Sequence, residues 1–283
     1  MVSHLKSEKT KQKQAEYVGT ISRHAKGHSE SEDTCSNKET SFIPEWYNIR
    51  GNVHQALINY RKLLVNKEER NMLAQKYGMT QERKCNGLHL HKRVVRLLEV
   101  SDGCVNTTKQ MGSVAGIEVG DQFHWRGELC VIGLHSDLQR GIDSITSISG
   151  KSWATSIVDS GRFDNVRVSS KEFTYCGQGD NPSYGELNKK HKDQKLDGRN
   201  QALMNNMTDK KPVRVIRKYS SIVSANESGY KFVYEGLYQV IGCKKRRGDY
   251  GKYIYEFKLA KLEDDRQYDL RWKIAGRTHR HQF

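Results

Sequence analysis

The sequence predicts an α+β fold, a twisted β-barrel flanked by helices, on three observations. Helical periodicity is confined to the stretch before Gly116 and to a short segment near Asn200. From Gly116 onward, apolar residues alternate or cluster in runs of strand length, separated by turn residues. Nowhere do strand and helix exchange regularly, as a parallel βα sheet would need.

Composition bounds what such a fold can do. The 283 residues carry a formal net charge of +15, which points to a polyanionic partner, above all nucleic acid. Hydrophobic residues make up 35% of the chain, lean enough that part of it is expected to be disordered while the rest still fills one core. No apolar run is long enough to span a membrane, and the first residues lack the apolar core of a signal peptide. The six cysteines are scattered without a Cys-x-x-Cys pair, so free thiols are expected rather than a zinc finger or a disulfide framework. The pairs His89/His91 and His279/His281 are isolated and are read as surface residues, so neither a metal nor a cofactor is expected.

Residues 1–44 are polar and charged, and they are expected to form a disordered basic tail because they cannot bury enough surface to offset the entropy of ordering. Residues 45–108 form a helical lead-in. Val53, Leu57, Tyr60 and Leu64 recur at spacings of four and three, which predicts a helix over 52–76 with Gly78 as its stop. For Val94–Val100, periodicity leaves helix and strand both open. Residues 109–265 form the β domain. Gln122–Trp125 and Glu128–Leu134 read as strands around Arg126-Gly127, and 152–158 as another strand. Phe173–Tyr175 reads as a short strand, and Asn200 as the N-cap of a helix that turns Ala202, Leu203 and Met207 inward. Strands follow at Val213–Ile216, Lys231–Ile241 and Lys252–Leu262; in the last, Tyr253, Tyr255, Phe257 and Leu259 share one face. Between the final two, Lys244-Lys245-Arg246-Arg247 is expected at a hairpin tip, as a phosphate contact, a nuclear import signal or a solvated loop. Residues 266–283 are expected to be a C-terminal tail.

Within the β domain, Gly161–Asn181 concentrates chemistry. It holds two aromatics, Phe163 and Tyr175, a polar pair, Asp164 and Asn165, and the turn Gly177-Gln178-Gly179. Two ring faces with a hydrogen-bonding group between them suit a flat heteroaromatic guest, and a glycine turn lets backbone approach it. The stretch therefore reads as a pocket for a nucleotide base. No nucleophile–base pair or metal spacing appears elsewhere, so no catalytic residue is assigned.

The runs GIEVGDQFHWRGELCVIGLH, LQRGID, TYCGQGDN, DQKL with NQAL, PVRVIR, YEGLYQV and YIYEFKLAKL occur in an order that resembles the SRA domain, also called YDG. The plant SUVH-type histone methyltransferases look most similar, over roughly 49–262. The resemblance implies an SRA/PUA-like barrel that binds duplex DNA carrying 5-methylcytosine and flips the modified base into a pocket. Carried over position by position, Phe163 and Tyr175 are the two sandwiching rings, and Asp164 or Asn165 takes the acidic position at the base edge. Gln139 sits where such members place the residue that fills the gap left in the duplex. By their charge, Arg140, Arg162, Lys189 and Lys190 are expected to contact the DNA backbone. This chain departs from the family in having Phe163 for a tyrosine and Arg162 for a glycine, and Tyr234-Glu235-Gly236 for the name-giving Tyr-Asp-Gly. The cysteine clusters of the pre-SET region and the SET motifs are not found through Phe283. The expectation is a nuclear, non-enzymatic chromatin protein reading methylated cytosine in duplex DNA, with chromatin proteins or histones as further partners and no small-molecule substrate. The alternatives are a paralogue serving as a chromatin interaction module without base recognition, and a fragment of a histone-lysine methyltransferase.

Overall fold

The computed structural model describes residues 45–79, 87–161, 165–179, 192–224, 227–248 and 251–263. The two expected tails lie outside these residues. The described residues of the lead-in form three helices. α1 (Glu45–Val65) and α2 (Lys67–Lys76) replace the single helix expected over 52–76. Asn66 divides them, because its backbone is extended and its side chain accepts the Glu69 N–H as an N-cap. α3 (Gly87–Val100) settles the open segment as a helix, burying Val94, Val95, Leu97 and Leu98 along one face.

A short strand, β1 (Gln122–Phe123), opens the β domain. The expected strand Glu128–Leu134 is instead α4 (Arg126–Val131) and the turn after it. Glu128 explains the difference. Its fully buried carboxylate accepts the His124 and Trp125 N–H groups at 2.5 and 3.2 Å and pairs with Arg61 at 2.6 Å. A carboxylate reaching back over the first turn starts a helix there, and a short apolar run carries no periodicity to announce it.

The remaining strands are β2 (Ile142–Thr146), β3 (Ser152–Asp159), β4 (Val166–Arg167), β5 (Glu172–Cys176), β6 (Val213–Ser224), β7 (Glu227–Arg247) and β8 (Tyr253–Lys261). They form one mixed sheet in the order β2-β3-β6-β7-β8-β5-β4, with β1 added to β7. Among the described residues, only the β3–β6 pairing is parallel. Register shifts at Val215/Ile216 and Val240/Gly242 bend the long strands, and the sheet curls into a half-barrel. The helix α5 (Gly198–Thr208) begins earlier than expected, with Asp197 at the N-cap position and Asn200 in the first turn. The basic run Lys244–Arg247 is not at a tip: it lies in β7, paired with Tyr253–Glu256 of β8.

Each face of the sheet buries its own core. Val158, Ile216, Phe232 and Tyr234 pack with Val53, Ala56 and Tyr60 of α1, Val94 and Leu98 of α3, and Leu129 of α4. Ile157, Val215, Tyr238, Phe257 and Leu259 pack with Ala202 and Leu203 of α5. The lead-in helices thus share a core with the sheet. Cys104, Cys130, Cys176 and Cys243 are free thiols.

Candidate nucleic-acid interface

The loop before β2 is built on one carboxylate. Asp137 Oδ1 accepts the N–H groups of Gln139 and Arg140 at 2.9 and 2.8 Å, an Asx-type turn. Arg199 of α5 reaches its Oδ2 at 3.3 Å and also donates to the Ile142 carbonyl. Burial pushes the Asp137 carboxyl up, but the two loop N–H groups and the Arg199 charge outweigh it and hold the group below the usual carboxylate range. On the other side Arg126, from the start of α4, donates to the Arg140 carbonyl at 2.6 Å and the Asp137 carbonyl at 3.3 Å.

His135 closes the base of this loop. Its ring is fully buried, with Nε2 3.0 Å from the Arg140 carbonyl and Nδ1 2.8 Å from Ser156 Oγ. A carbonyl only accepts, so Nε2 carries the proton and Nδ1 receives the serine hydroxyl. Burial, aided by the Arg126 charge, pushes the imidazole down to about 4, so it is neutral near neutral pH. The tip of the loop is exposed at Gln139 and Arg140; Arg140 lies 4.0 Å from Asp137 Oδ2, and among the described residues Gln139 Oε1 meets only Lys92 Nζ, at 3.3 Å.

Tyr175 approaches the same loop from β5. It pairs with Phe257 of β8, and its ring is 4% exposed within the second core. Its hydroxyl stands beside Gly141, where a Cβ would lie 2.5 Å from the oxygen. Burial raises the phenol well above its ordinary value, so it stays protonated.

Asn165 is tied at both ends. Its Oδ1 accepts the Cys176 N–H at 2.7 Å and its Nδ2 donates to Asp159 Oδ1 at 2.8 Å. Asp159 also accepts the Gly161 N–H at 3.1 Å and faces Arg217 at 3.5 Å. Arg217 continues to Glu235 at 3.2 Å and lies over the Phe173 ring at 4.8 Å. Glu235 accepts the hydroxyls of Tyr219 and Tyr238. The glutamate of Tyr234-Glu235-Gly236 is therefore a hub beneath the pocket stretch. A carboxylate at position 165 would face Asp159 with no proton to donate, which gives a physical reason for the asparagine.

The glycine turn approaches the protein's own side chains. A Cβ on Gly179 would meet Gln194 Cγ at 2.5 Å, and one on Gly177 would crowd Asn200 and Gln194 at 2.9 Å. Asn200 donates to the Gln178 carbonyl and accepts its N–H, both at 2.8 Å, so it clamps the turn rather than capping the helix. Among the described residues, the buried Oε1 of Gln178 has no hydrogen-bond partner. Of the remaining expected site residues, Arg162, Phe163, Asp164, Lys189 and Lys190 lie outside the described residues.

A cleft of about 370 Å³ opens beside the Gln139 loop. Gln139 and Ser160, next to the pocket stretch, line it together with His91, Trp125, Arg126, Lys218 and Tyr230. Lys218 Nζ sits 3.9 Å from the Tyr230 ring centroid. Sequence reasoning named Gln139 and missed the others. Trp125-Arg126 carried a signal, an aromatic beside a cation, but was read as a strand end; Lys218, Tyr230, Asp159 and Arg217 carried none. Among the described residues, no group of three or more His, Cys, Asp or Glu side chains is placed to hold a metal ion.

Comparison with known proteins bears on the fold and the family. The SAD/SRA domain model matches residues 110–265. The H3 lysine-9 specific histone-lysine N-methyltransferase SUVH5 of Arabidopsis thaliana is 38% identical over 182 residues, which cover 62% of this chain and 22% of that protein. A YDG domain-containing protein of Arabidopsis thaliana is 42% identical over 156 residues, 55% of this chain and 36% of the relative. The chain thus spans between about a fifth and about a third of these relatives' lengths. The crystal structure of KRYPTONITE in complex with mCHH DNA, H3(1-15) peptide and SAH matches with a TM-score of 0.63 at 25% identity, covering 76% of this chain and 43% of that one.

Proposed function

The chain belongs to the SAD/SRA domain family, and from that membership we propose that it reads 5-methylcytosine in duplex DNA by flipping the base, acting in nuclear chromatin without catalysis of its own. Residues 109–265 form the reading domain and 45–108 its helical support. KRYPTONITE, one of the structural matches, was crystallised with mCHH DNA and an H3 peptide, which supports DNA and histone as partner classes here.

The observation that carries the reading is the meeting of the Gln139–Gly141 loop with Tyr175 at Gly141. Removing a base from the stack costs a few kcal/mol, roughly. Stacking on aromatic rings returns about 1–3 kcal/mol, and Tyr175 with Phe163 would supply it. Gln139, exposed on a frame that does not need its side chain, would enter the vacated stack and bond the orphaned base. With the Asn165 amide bridging Asp159 and Cys176, Asp164 takes the cytosine amino group and Asn165 positions the pocket strand. Arg140, Arg162, Lys189 and Lys190 hold phosphates and contribute salt-dependent affinity without sequence preference. Gly177, Gln178 and Gly179 form the pocket wall.

One observation favours a second reading, an interaction module that does not flip a base. Tyr175 offers 4% of its surface and Asn165 has a bond at each end, so base entry has to displace what covers the ring. Titration with unmodified, hemimethylated and fully methylated duplexes, in several contexts at fixed salt, separates the two. Preference for a methylated duplex is the expected result; equal affinity for all of them supports the interaction module.

A further inference from the structure

The basic run of β7 has two faces with opposite circumstances. Paired residues on antiparallel strands share a face. Lys244 and Arg246 point to the outer side, where both reach Glu256, at 3.1 and 2.5 Å. Lys258 on that side pairs with Glu172 at 2.9 Å. Lys245 and Arg247 pair in register with Tyr255 and Tyr253, on the side that carries Cys243 and the buried Phe257. There the core face of the sheet runs on past the core as two cations and two tyrosines. Lys245 Nζ is 4.6 Å from the Tyr253 ring centroid and 6.0 Å from that of Tyr255, and Arg247 is 5.4 Å from Tyr253. Among the described residues, no acid is within ion-pair distance of either cation. Two like charges on one exposed ring repel each other until an anion lies between them.

The same two tyrosines carry the pocket turn. The Gly177 N–H donates to the Tyr255 carbonyl at 2.7 Å, and the Gln194 N–H to the Tyr253 carbonyl at 2.8 Å. Two residues along a strand span about 7 Å, so Lys245 and Arg247 stand within a few such steps of Gly177. A duplex seated at the pocket, with one phosphate charge per roughly 1.7 Å of axis, presents phosphates over that distance.

We propose that Lys245 and Arg247, set on Tyr253 and Tyr255, form a second anchorage for the phosphate backbone of the duplex whose modified base the pocket reads. The proposal rests on the DNA-reading function above and adds a flank contact to it. The full chain is titrated with a methylated duplex of about one helical turn, 10 base pairs, and one of about 25 base pairs, over a range of salt. Lys245→Gln with Arg247→Gln should make the salt dependence on the long duplex shallower by about 1.8 logarithmic units per decade. It should weaken long-duplex binding about tenfold at low salt, change short-duplex binding less, and leave the methylated-to-unmodified ratio as it was. Lys244→Gln with Lys258→Gln is the outer-face control and should leave the slope unchanged. An unchanged slope in the inner-face variant, with a native circular dichroism spectrum, overturns the anchorage; so does an equal change in the outer-face control. Should poly-glutamate bind the wild-type chain as tightly as the long duplex, an acidic peptide is the occupant instead. If the wild type shows no methyl preference yet the inner-face variant loses slope, the reading function fails and the anchorage stands.

Discussion

The hydroxyl of Tyr175 occupies the space in which a side chain at Gly141 would begin, 2.5 Å from a Cβ built there. That contact joins the loop carrying Gln139 to the strand carrying Tyr175. It makes Gly141 a residue chosen for space rather than for backbone freedom.

Gly141→Ala is therefore expected to destabilise the fold by about 1–3 kcal/mol through overpacking. Tyr175→Phe removes the oxygen that the methyl meets. Urea denaturation of the two single variants and the double variant should show the phenylalanine recovering most of the alanine's loss. Additive losses would mean that the strain lies elsewhere.

Gln139 offers the opposite case. Its side chain is exposed and, among the described residues, bonded only to Lys92, so Gln139→Ala should change stability by no more than about 0.5 kcal/mol. Affinity for a methylated duplex should nevertheless fall. Fluorescence anisotropy with equal affinities for wild type and variant would assign the gap-filling role to another residue.

The hub beneath the pocket stretch predicts a coupling. Asn165→Asp places a carboxylate against Asp159 and removes the donor between them. It should be destabilising, and Asp159→Asn in the same chain should relieve part of the loss by restoring a donor. A coupling energy of at least about 1 kcal/mol is expected from a double-mutant cycle in denaturant. Additivity would remove the bond between these residues as the reason for the asparagine.

His135 sets a pH dependence. The folded imidazole titrates at about 4, below its ordinary 6.5, so the unfolded chain takes up the proton first as pH falls. The stability is fully present above about pH 6.5 and is lost progressively toward pH 4, on the order of 3 kcal/mol in all. Thermal unfolding should show Tm dropping by about 4–8 °C between about pH 7.5 and pH 5. Burial pushes His91 down as well, which adds a loss of the same sign. His135→Gln keeps a donor for the Arg140 carbonyl and an acceptor for Ser156, and it should reduce the slope without abolishing it. An unchanged slope in that variant would place the proton uptake elsewhere.

Much of the fold is legible along the chain because strands and helices write their periods locally. Phe257 and Leu259 are fully buried, as alternation in the last strand requires. Val94–Val100 and Glu128–Leu134 were the hard segments, since short apolar runs carry too few turns to distinguish the two periods. The second of these became a helix through Arg61 and the backbone of His124 and Trp125, partners of Glu128 that periodicity does not register. The expected helix over 52–76 broke at Asn66 for a local reason, a side chain better suited to capping than to continuing.

The sequence by itself determined the chemistry on offer: a strongly basic chain, two rings twelve positions apart around a polar pair, a glutamine on a turn, and motifs in the order of one family. The tertiary structure decided which of those groups remain available. Parallel pairing of β3 with β6 sets Asp159 beside Arg217, and pairing of β6 with β7 brings Glu235 to the same place. Asn165 is consequently held in a network, Tyr175 is buried against Gly141, and Gln139 is left exposed. Contacts between residues this far apart in the chain depend on register and strand order, which no local pattern encodes.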